Sequence, residues 1–161
     1  MDTFEAIRKR RSVRKYTGDP IPREELEKIV DAGRLAPTGY NRQPWDFIVV
    51  TDRAMINQLT MAAKWMEKAG AIIAVVLDTD APYWLEDGSA AVENMLLAST
   101  ALGYGSCWLE GDTIPLEDKI KPLLNVPQEK RLFTLVPIGV PVGWPTVEKK
   151  TLEEVIHWEK Y

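Results

Sequence analysis

The chain has 161 residues, of which 45% are hydrophobic and 27% charged, a composition typical of an ordinary globular protein. Its net charge of -4 argues weakly against nucleic acid as the main partner but leaves room for a local basic pocket. The single cysteine, Cys107, excludes an intramolecular disulfide and fits a reducing compartment. No apolar run marks a signal peptide at the N-terminus, and the longest apolar stretch, 69–77, is too short to span a bilayer. We expect one cytoplasmic domain over 1–161, with neither nucleic acid nor membrane as a partner.

Two helices are predicted in the first part of the chain. Asp2 and Glu5 have the spacing of a capping box, so a helix starts there and is expected to run into the basic residues that follow. Apolar residues at helical spacing predict a second helix over 23–35, which Pro37 and Gly39 would end.

The rest of the chain alternates between predicted strands and helices, a pattern that by itself favours a parallel sheet covered on both faces. The helix over 87–102 is apolar nearly all round, which indicates a central helix or a subunit interface. Pro137 within the last strand predicts a sheet edge or a bulge, and Thr151 with Glu154 repeats the capping-box spacing. The predicted strands are 47–51, 71–77, 106–109 and 131–140, and the predicted helices are 52–68, 87–102 and 116–124.

A cluster of basic residues near the N-terminus is the first candidate binding site. Arginine can make two parallel hydrogen bonds to a phosphate, and a serine hydroxyl would add a neutral donor. The alternative is a solvated helix end, where the helix dipole favours basic side chains. Both interpretations stay open, although so dense a cluster is unusual on an acidic chain. The cluster consists of Arg8, Lys9, Arg10, Arg11 and Arg14, with Ser12 among them.

The loop over 36–45, between a predicted helix and a predicted strand, is the second candidate. Gly39 permits a close approach of the backbone, and the amides of Asn41 and Gln43 can both donate and accept hydrogen bonds. Such a loop would suit a flat heterocycle with carbonyls and ring nitrogens. The alternative is a loop that is merely rich in turns.

Two later segments carry weaker signals. The Gly-x-Gly of 103–105 is not a dinucleotide fingerprint, because no helix follows it, and a helix C-cap before a buried strand would explain it equally well. The pair Lys149 and Lys150 is by itself typical of solvated surface.

Nothing indicates that the only histidine, His157, meets Cys107 to form a nucleophile pair, and the sequence contains no Cys/His spacing typical of metal ligands.

Taken together in chain order, these segments resemble the nitroreductase family of FMN-dependent oxidoreductases. The resemblance covers nearly the whole chain and is carried by Arg-Arg-Ser-Val-Arg-Lys-Tyr over 10–16, by 36–47, by 87–108 and by 139–157. It implies an α+β fold with a mixed, mostly antiparallel central sheet flanked by helices, which replaces the parallel sheet expected from alternation alone. It also implies an intertwined homodimer with two FMN sites at its interface, each built from both chains.

The resemblance further implies roles for individual residues. Arg10 and Ser12 would lie at the FMN phosphate and ribityl chain, Arg14 toward the pyrimidine, and either lysine of the C-terminal pair would close the phosphate site. The loop would reach the flavin bound mainly by the partner, and backbone N–H groups after the third strand would face flavin N5 and O4. The implied cofactor-binding residues are Arg10, Arg11, Ser12, Arg14, Pro37, Thr38, Gly39, Asn41, Gln43, Leu109, Glu110, Gly111, Lys149 and Lys150.

The implied activity is electron transfer from NADH or NADPH, through FMN, to an oxidised acceptor such as a nitroaromatic, a quinone or a flavin. Donor and acceptor would use the same face of the flavin in turn, a ping-pong scheme in which the cofactor supplies the redox chemistry and no side chain need act as acid or base. The alternatives are an FMN-binding protein without turnover, such as an electron carrier or flavin store, and an interaction domain without a cofactor. The chain is shorter than many family members, which leaves the substrate class open.

Overall fold

The computed structural model describes residues 1–161 and contains one four-stranded sheet in the order β1-β2-β4-β3. All three neighbouring pairs are antiparallel. The connection from β1 to β2 joins the two strands at the same end of the sheet, since Val50 pairs with Ile72, so no crossover is needed. The α+β prediction is therefore confirmed, and the parallel sheet suggested by local alternation is wrong. The strands are β1 (Trp45–Val50), β2 (Ala71–Leu77), β3 (Gly105–Ser106) and β4 (Arg131–Gly139).

Five α-helices surround the sheet. Asp2 caps the first with the predicted capping box, because its side chain accepts from the Glu5 N–H and the Glu5 side chain accepts from the Asp2 N–H. The helices are α1 (Thr3–Lys9), α2 (Arg23–Arg34), α3 (Arg53–Leu59), α4 (Trp84–Ala101) and α5 (Glu117–Leu123), with short 3-10 turns at Gly39–Asn41, Lys64–Lys68 and Ile114–Leu116. None of the helices combines the length and hydropathy that a bilayer crossing requires.

The core lies on both faces of the sheet. Every residue of β2 is buried, as the apolar run over 71–77 predicted. Ile72 and Val76 project into one apolar cluster, whereas Ile73 and Val75 project into the other. Each fully buried side chain of this size stabilises the fold by about 1.5–3 kcal/mol. β2 is therefore the central strand of the core, with side chains in both apolar clusters.

α4 is the central helix, which explains why its sequence is apolar nearly all round. It packs against α1, α2 and the sheet. Its C-terminus carries the predicted glycine cap: Gly103 has φ +91° and donates to the Thr100 carbonyl at 3.0 Å, while Tyr104 donates to the Ser99 carbonyl at 2.8 Å. The first glycine of the Gly-x-Gly segment is thus used to end a helix.

The prediction that Pro137 marks an edge or a bulge is wrong. β4 lies between β2 and β3, and the irregularity in its pairing falls opposite Val75 and Val76. The Pro137 carbonyl accepts from the Cys107 N–H at 3.2 Å, so the position where proline lacks an N–H also faces the chain that follows β3. β3 has only two residues and ends before this position. The sheet therefore tolerates the proline, because no continuous ladder of hydrogen bonds between β3 and β4 is interrupted.

Several predicted elements are shorter in the structure. α1 runs into the basic cluster as predicted but ends within it, at Lys9, and the helix predicted over 52–68 is interrupted after Leu59. The strand predicted over 106–109 is reduced to β3, with an isolated bridge from Leu109 to Leu135. The Thr151 N–H donates to Glu154 at 2.7 Å, but only a turn follows, because no apolar face of the tail packs against the core.

Candidate functional site

The two ends of the chain meet beside the short strand β3. The segment after α1 runs along this edge, where the Val13 N–H donates to the Ser106 carbonyl at 2.9 Å. Further along the same segment, the Lys15 carbonyl accepts from the Val142 N–H at 3.1 Å. Backbone hydrogen bonds therefore join residues near the N-terminus to residues that follow β4, and they bring both sequence motifs to one place.

A glycine on β4 allows this close approach. A Cβ at Gly139 would lie 2.8 Å from a ring atom of Tyr16, which no real Cβ contact permits. The buried Tyr16 hydroxyl shares its one proton between two acceptors, the Val13 carbonyl at 2.7 Å and the Pro137 carbonyl at 3.2 Å. The N-terminal segment is thus anchored to the sheet by main chain and side chain together, which gives its basic residues a defined position.

A cleft of about 640 Å³ lies between the two anchored segments. Its walls come from 10–15 on one side and from 142–149 on the other. Lys150 is exposed and does not line it. Of the residues that the sequence assigns to a cofactor, those that line this cleft are Arg10, Arg11, Ser12, Arg14 and Lys149.

Two of the arginines in the cleft already have partners within the chain. The Arg10 guanidinium pairs with the Glu93 carboxylate of α4 at 3.2 Å, and the Arg10 side chain is mostly covered. The Arg11 guanidinium donates to the carbonyls of Arg8 and Arg10 at 2.8 Å and 2.6 Å. Arg11 therefore satisfies carbonyls at the end of α1, which accords with the helix-end interpretation of this residue.

Aromatic rings accompany the remaining cations. The Arg14 guanidinium lies 5.9 Å from the ring centroid of Trp65, and the Lys9 ammonium lies 4.9 Å from that of Trp144, within the range of cation–π attraction. Trp144 lines the cleft and was not among the predicted site residues. No signal in the sequence around Trp144 marks it as a site residue, and only the meeting of the two chain ends places it against the basic segment.

Cys107 lies beneath the cleft as a buried thiol. Burial raises the pKa of the Cys107 thiol, and this effect outweighs the Arg14 charge and the hydrogen bond with Ser12, which lower it. Burial therefore favours the protonated thiol over the nucleophilic thiolate. His157 packs against Tyr161 in the exposed tail, with ring centroids 4.4 Å apart.

The loop over 36–45, the second candidate from the sequence, lies outside the basic cleft. Its residues do not line the basic cleft; the Gly39 N–H instead donates to the Asp87 carboxylate in the first turn of α4, at 2.9 Å. The Thr38 hydroxyl accepts from the Gln43 N–H at 3.3 Å and closes the loop. Within one chain, the structure does not bring Pro37, Thr38, Gly39, Asn41 and Gln43 together with the arginines.

The segment after β3 offers backbone donors. Leu109 is buried and donates to the Leu135 carbonyl at 3.0 Å. The next two N–H groups, those of Glu110 and Gly111, donate to no acceptor within the chain. Neither residue lines the basic cleft, and a Cβ at Gly111 would have no neighbour within 4 Å. This turn therefore presents two free N–H groups beside an open space.

Comparisons with known proteins agree with this architecture. A model of the Nitroreductase family matches residues 7–71 and 57–140. A Methanothermobacter thermautotrophicus protein with the provisional name NADH dehydrogenase/NAD(P)H nitroreductase is 34% identical over all of this chain and 88% of its own. The structure of a provisionally named nitroreductase with FMN, from Desulfovibrio desulfuricans, has a TM-score of 0.87 at 30% identity and covers 100% of this chain and 98% of the other. An FMN-dependent nitroreductase of Clostridium difficile has a TM-score of 0.89 at 27% identity, covering 98% and 99%.

Proposed function

This chain belongs to the nitroreductase family, and we propose that it is an FMN-dependent oxidoreductase that passes electrons from NADH or NADPH to an oxidised small molecule. The acceptor class that we propose is a nitroaromatic, a quinone or a flavin. The observation that carries the proposal is the cleft in which basic residues from both ends of the chain converge. When bound, FMN would supply the hydride chemistry, and the protein would bind and orient it.

The chemistry of the cleft fits a phosphomonoester. A phosphate needs several positive donors at close quarters, and Arg10, Arg14 and Lys149 supply them although the chain as a whole is acidic. The Ser12 hydroxyl adds a neutral donor. A volume of about 640 Å³ lies within the usual range for small-molecule sites. We therefore assign the phosphate of FMN to Arg10, Ser12 and Lys149.

Two further groups would act on the flavin ring. In our proposal Arg14 lies toward the pyrimidine and stabilises the negative charge that the ring gains on reduction, an effect that in other enzymes is worth about 3 kcal/mol for one donor. The unpaired N–H groups of Glu110 and Gly111 are suited to hydrogen bonds with the ring edge. No side chain is assigned as an acid or base.

We further propose that the site is completed in a homodimer. The tail over 145–161 is exposed although it carries Leu152, Val155 and Trp158, and the outer edge of β1 has no strand partner. Exposed apolar residues and an open strand edge favour association with a second chain. The loop over 37–43 would then contribute to the site of the partner, which accounts for its distance from the arginines of its own chain.

The phosphate assignment is tested by the double variant Arg10→Ala with Ser12→Ala. We expect the purified variant to lose bound FMN and its yellow colour, with FMN affinity measured by fluorescence titration. Arg23→Ala is a matched control, because Arg23 is an exposed, ion-paired arginine outside the cleft. A double variant that retains FMN at wild-type affinity contradicts the assignment.

Turnover is tested separately by adding NADH or NADPH to the FMN-loaded protein without oxygen. Bleaching of the flavin, followed by recovery when an oxidised acceptor is added, is the expected result. A bound flavin that neither nucleotide bleaches would instead indicate an electron carrier or flavin store. A colourless protein that takes up no FMN would indicate an interaction domain.

A further inference from the structure

The loop over 38–43 has an unusual backbone. Tyr40, Asn41 and Gln43 have φ angles of 54°, 55° and 49°, so three residues other than glycine lie in the left-handed region within four positions. Asparagine tolerates this region, but a bulky side chain such as that of Tyr40 rarely adopts it. Such a conformation persists only when the surrounding structure holds it, and it is concentrated at functional sites.

Asp87 is the side chain that holds the loop. Its Oδ1 accepts from the Gly39 N–H at 2.9 Å, a contact between residues 48 positions apart. The Asp87 residue is only 5% exposed, and it lies in the first turn of the 18-residue helix α4, where the helix dipole favours a carboxylate. A charged acceptor makes a stronger hydrogen bond than a neutral one, so this contact is suited to oppose the strain in the loop.

The same helix end also fixes the loop sterically. The ring of Tyr83 lies so close to Gly39 that a Cβ there would be 2.2 Å from Tyr83 Cδ2. The Tyr83 and Tyr40 rings are 6.1 Å apart between centroids. A side chain at position 39 would therefore require the Tyr83 ring to move, and Gly39, which precedes the left-handed residues, contacts both Tyr83 and Asp87.

The Gly39 N–H is the one hydrogen-bond donor that the buried Asp87 carboxylate has within this chain. Asp87 Oδ2 is buried and has no hydrogen-bond partner. Burying a carboxylate with a single hydrogen bond is unfavourable, and an apolar side chain at this position could not accept from the Gly39 N–H. The one partner that the carboxylate does have is the loop.

We propose that Asp87 is a positioning residue for the cofactor site. It holds the Gly39 amide and thereby maintains the left-handed shape in which the loop contacts the flavin of the partner chain. The identity of the ligand rests on the proposed function, whereas the contact between Asp87 and the loop does not.

The contact is tested by amide hydrogen exchange at Gly39, measured by NMR on the full chain. In Asp87→Ala we expect exchange at least about tenfold faster than in the wild type, because the acceptor is removed. Asp87→Asn retains an acceptor oxygen and should stay within about threefold. Glu86→Ala is the matched control, since Glu86 is an exposed acidic residue in the same turn of α4. Unchanged exchange in Asp87→Ala would overturn the inference.

The role in the site is tested by FMN titration of the same variants. We expect FMN affinity to fall about tenfold in Asp87→Ala relative to Glu86→Ala and to be rescued to within about threefold by Asp87→Asn. If Asp87→Ala does not fold, Asp87→Ser replaces it, because its side chain is one bond shorter than that of aspartate and lacks the carboxylate. Equal FMN affinity in the Ala (or Ser) and Glu86 variants would overturn the positioning role. If the wild type binds no FMN, the proposed function fails, and the exchange experiment still decides whether Asp87 holds the loop.

Discussion

Val13 lies directly against Gly105: a Cβ built on Gly105 would be only 2.7 Å from the Cβ of Val13. The absence of a side chain at this position lets the N-terminal segment run beside β3, where the Val13 N–H reaches the Ser106 carbonyl at 2.9 Å. The basic residues on either side of Val13 owe their place in the cleft to this contact.

Gly105→Ala should therefore disturb both stability and the cleft. The new methyl group meets the stiff, branched Val13 side chain, so we expect unfolding to become easier by about 2 kcal/mol and FMN affinity to fall. Urea denaturation measures the first effect. Gly143→Ala is the control for stability, because a Cβ there has no neighbour within 4 Å. A Gly105→Ala protein as stable as the wild type would show that the close contact is not required.

In the proposed site, Glu93 would compete with the FMN phosphate for Arg10. The two side chains are 3.2 Å apart and partly exposed, so the pair contributes little to stability. Glu93→Gln should free the guanidinium and tighten the binding of FMN by about two- to fivefold, most clearly at low salt. Fluorescence titration at two salt concentrations measures this. Glu27→Gln, which breaks the ion pair with Arg23 outside the cleft, should leave the affinity unchanged. Weaker FMN binding in Glu93→Gln would contradict the role given to Arg10.

Alkaline pH should destabilise the fold through its tyrosines. Burial and the hydrogen bond to Glu25 raise the pKa of Tyr104 from 10.0 to about 12, and burial also raises the pKa of Tyr16. The unfolded chain releases these protons first, so the stabilisation is complete below pH 10.0 and is lost as pH rises through the folded-state values.

Tyr104→Phe removes the contribution of one of these groups. We expect its free energy of unfolding to decline less steeply above the ordinary tyrosine pKa of 10.0 than that of the wild type. Chemical denaturation at a series of alkaline pH values is the measurement, with Tyr161→Phe in the exposed tail as the control. Identical pH profiles for Tyr104→Phe and the wild type would show that the hydroxyl titrates normally.

Lys121 is a buried cation that serves the scaffold. Its ammonium donates to the carbonyls of Gln128 and Lys130 at 2.8 Å and 2.6 Å and lies 4.0 Å from the Glu117 carboxylate. Lys121→Ala removes the donor to the two carbonyls and should cost about 3 kcal/mol of stability, although Glu117 keeps Arg131 and the Leu132 N–H as partners. Lys119→Ala, on the exposed side of the same helix, should cost less than about 0.5 kcal/mol. Urea denaturation compares them, and equal midpoints would contradict the structural role.

Local elements could be predicted from the sequence where one physical signal dominates. β2 has the predicted bounds because seven consecutive apolar residues can only be accommodated in the interior. α2 ends one residue before the prediction, and α4 begins three residues earlier. The prediction for Pro137 failed because proline indicates only that one hydrogen bond of a strand ladder is missing. Such a gap also occurs inside a sheet, where the neighbouring strand is as short as β3.

By itself the sequence determined the helix caps, the apolar runs and the cationic cluster over 8–14, since these depend on side-chain chemistry and on neighbours a few positions apart. Only the tertiary structure decided that the cluster meets Lys149, and that the loop at Gly39 docks on Asp87 away from it. Such contacts join distant parts of the chain through a few glycines and backbone hydrogen bonds. No local periodicity encodes them, because the free energy that forms them comes from packing the whole sheet.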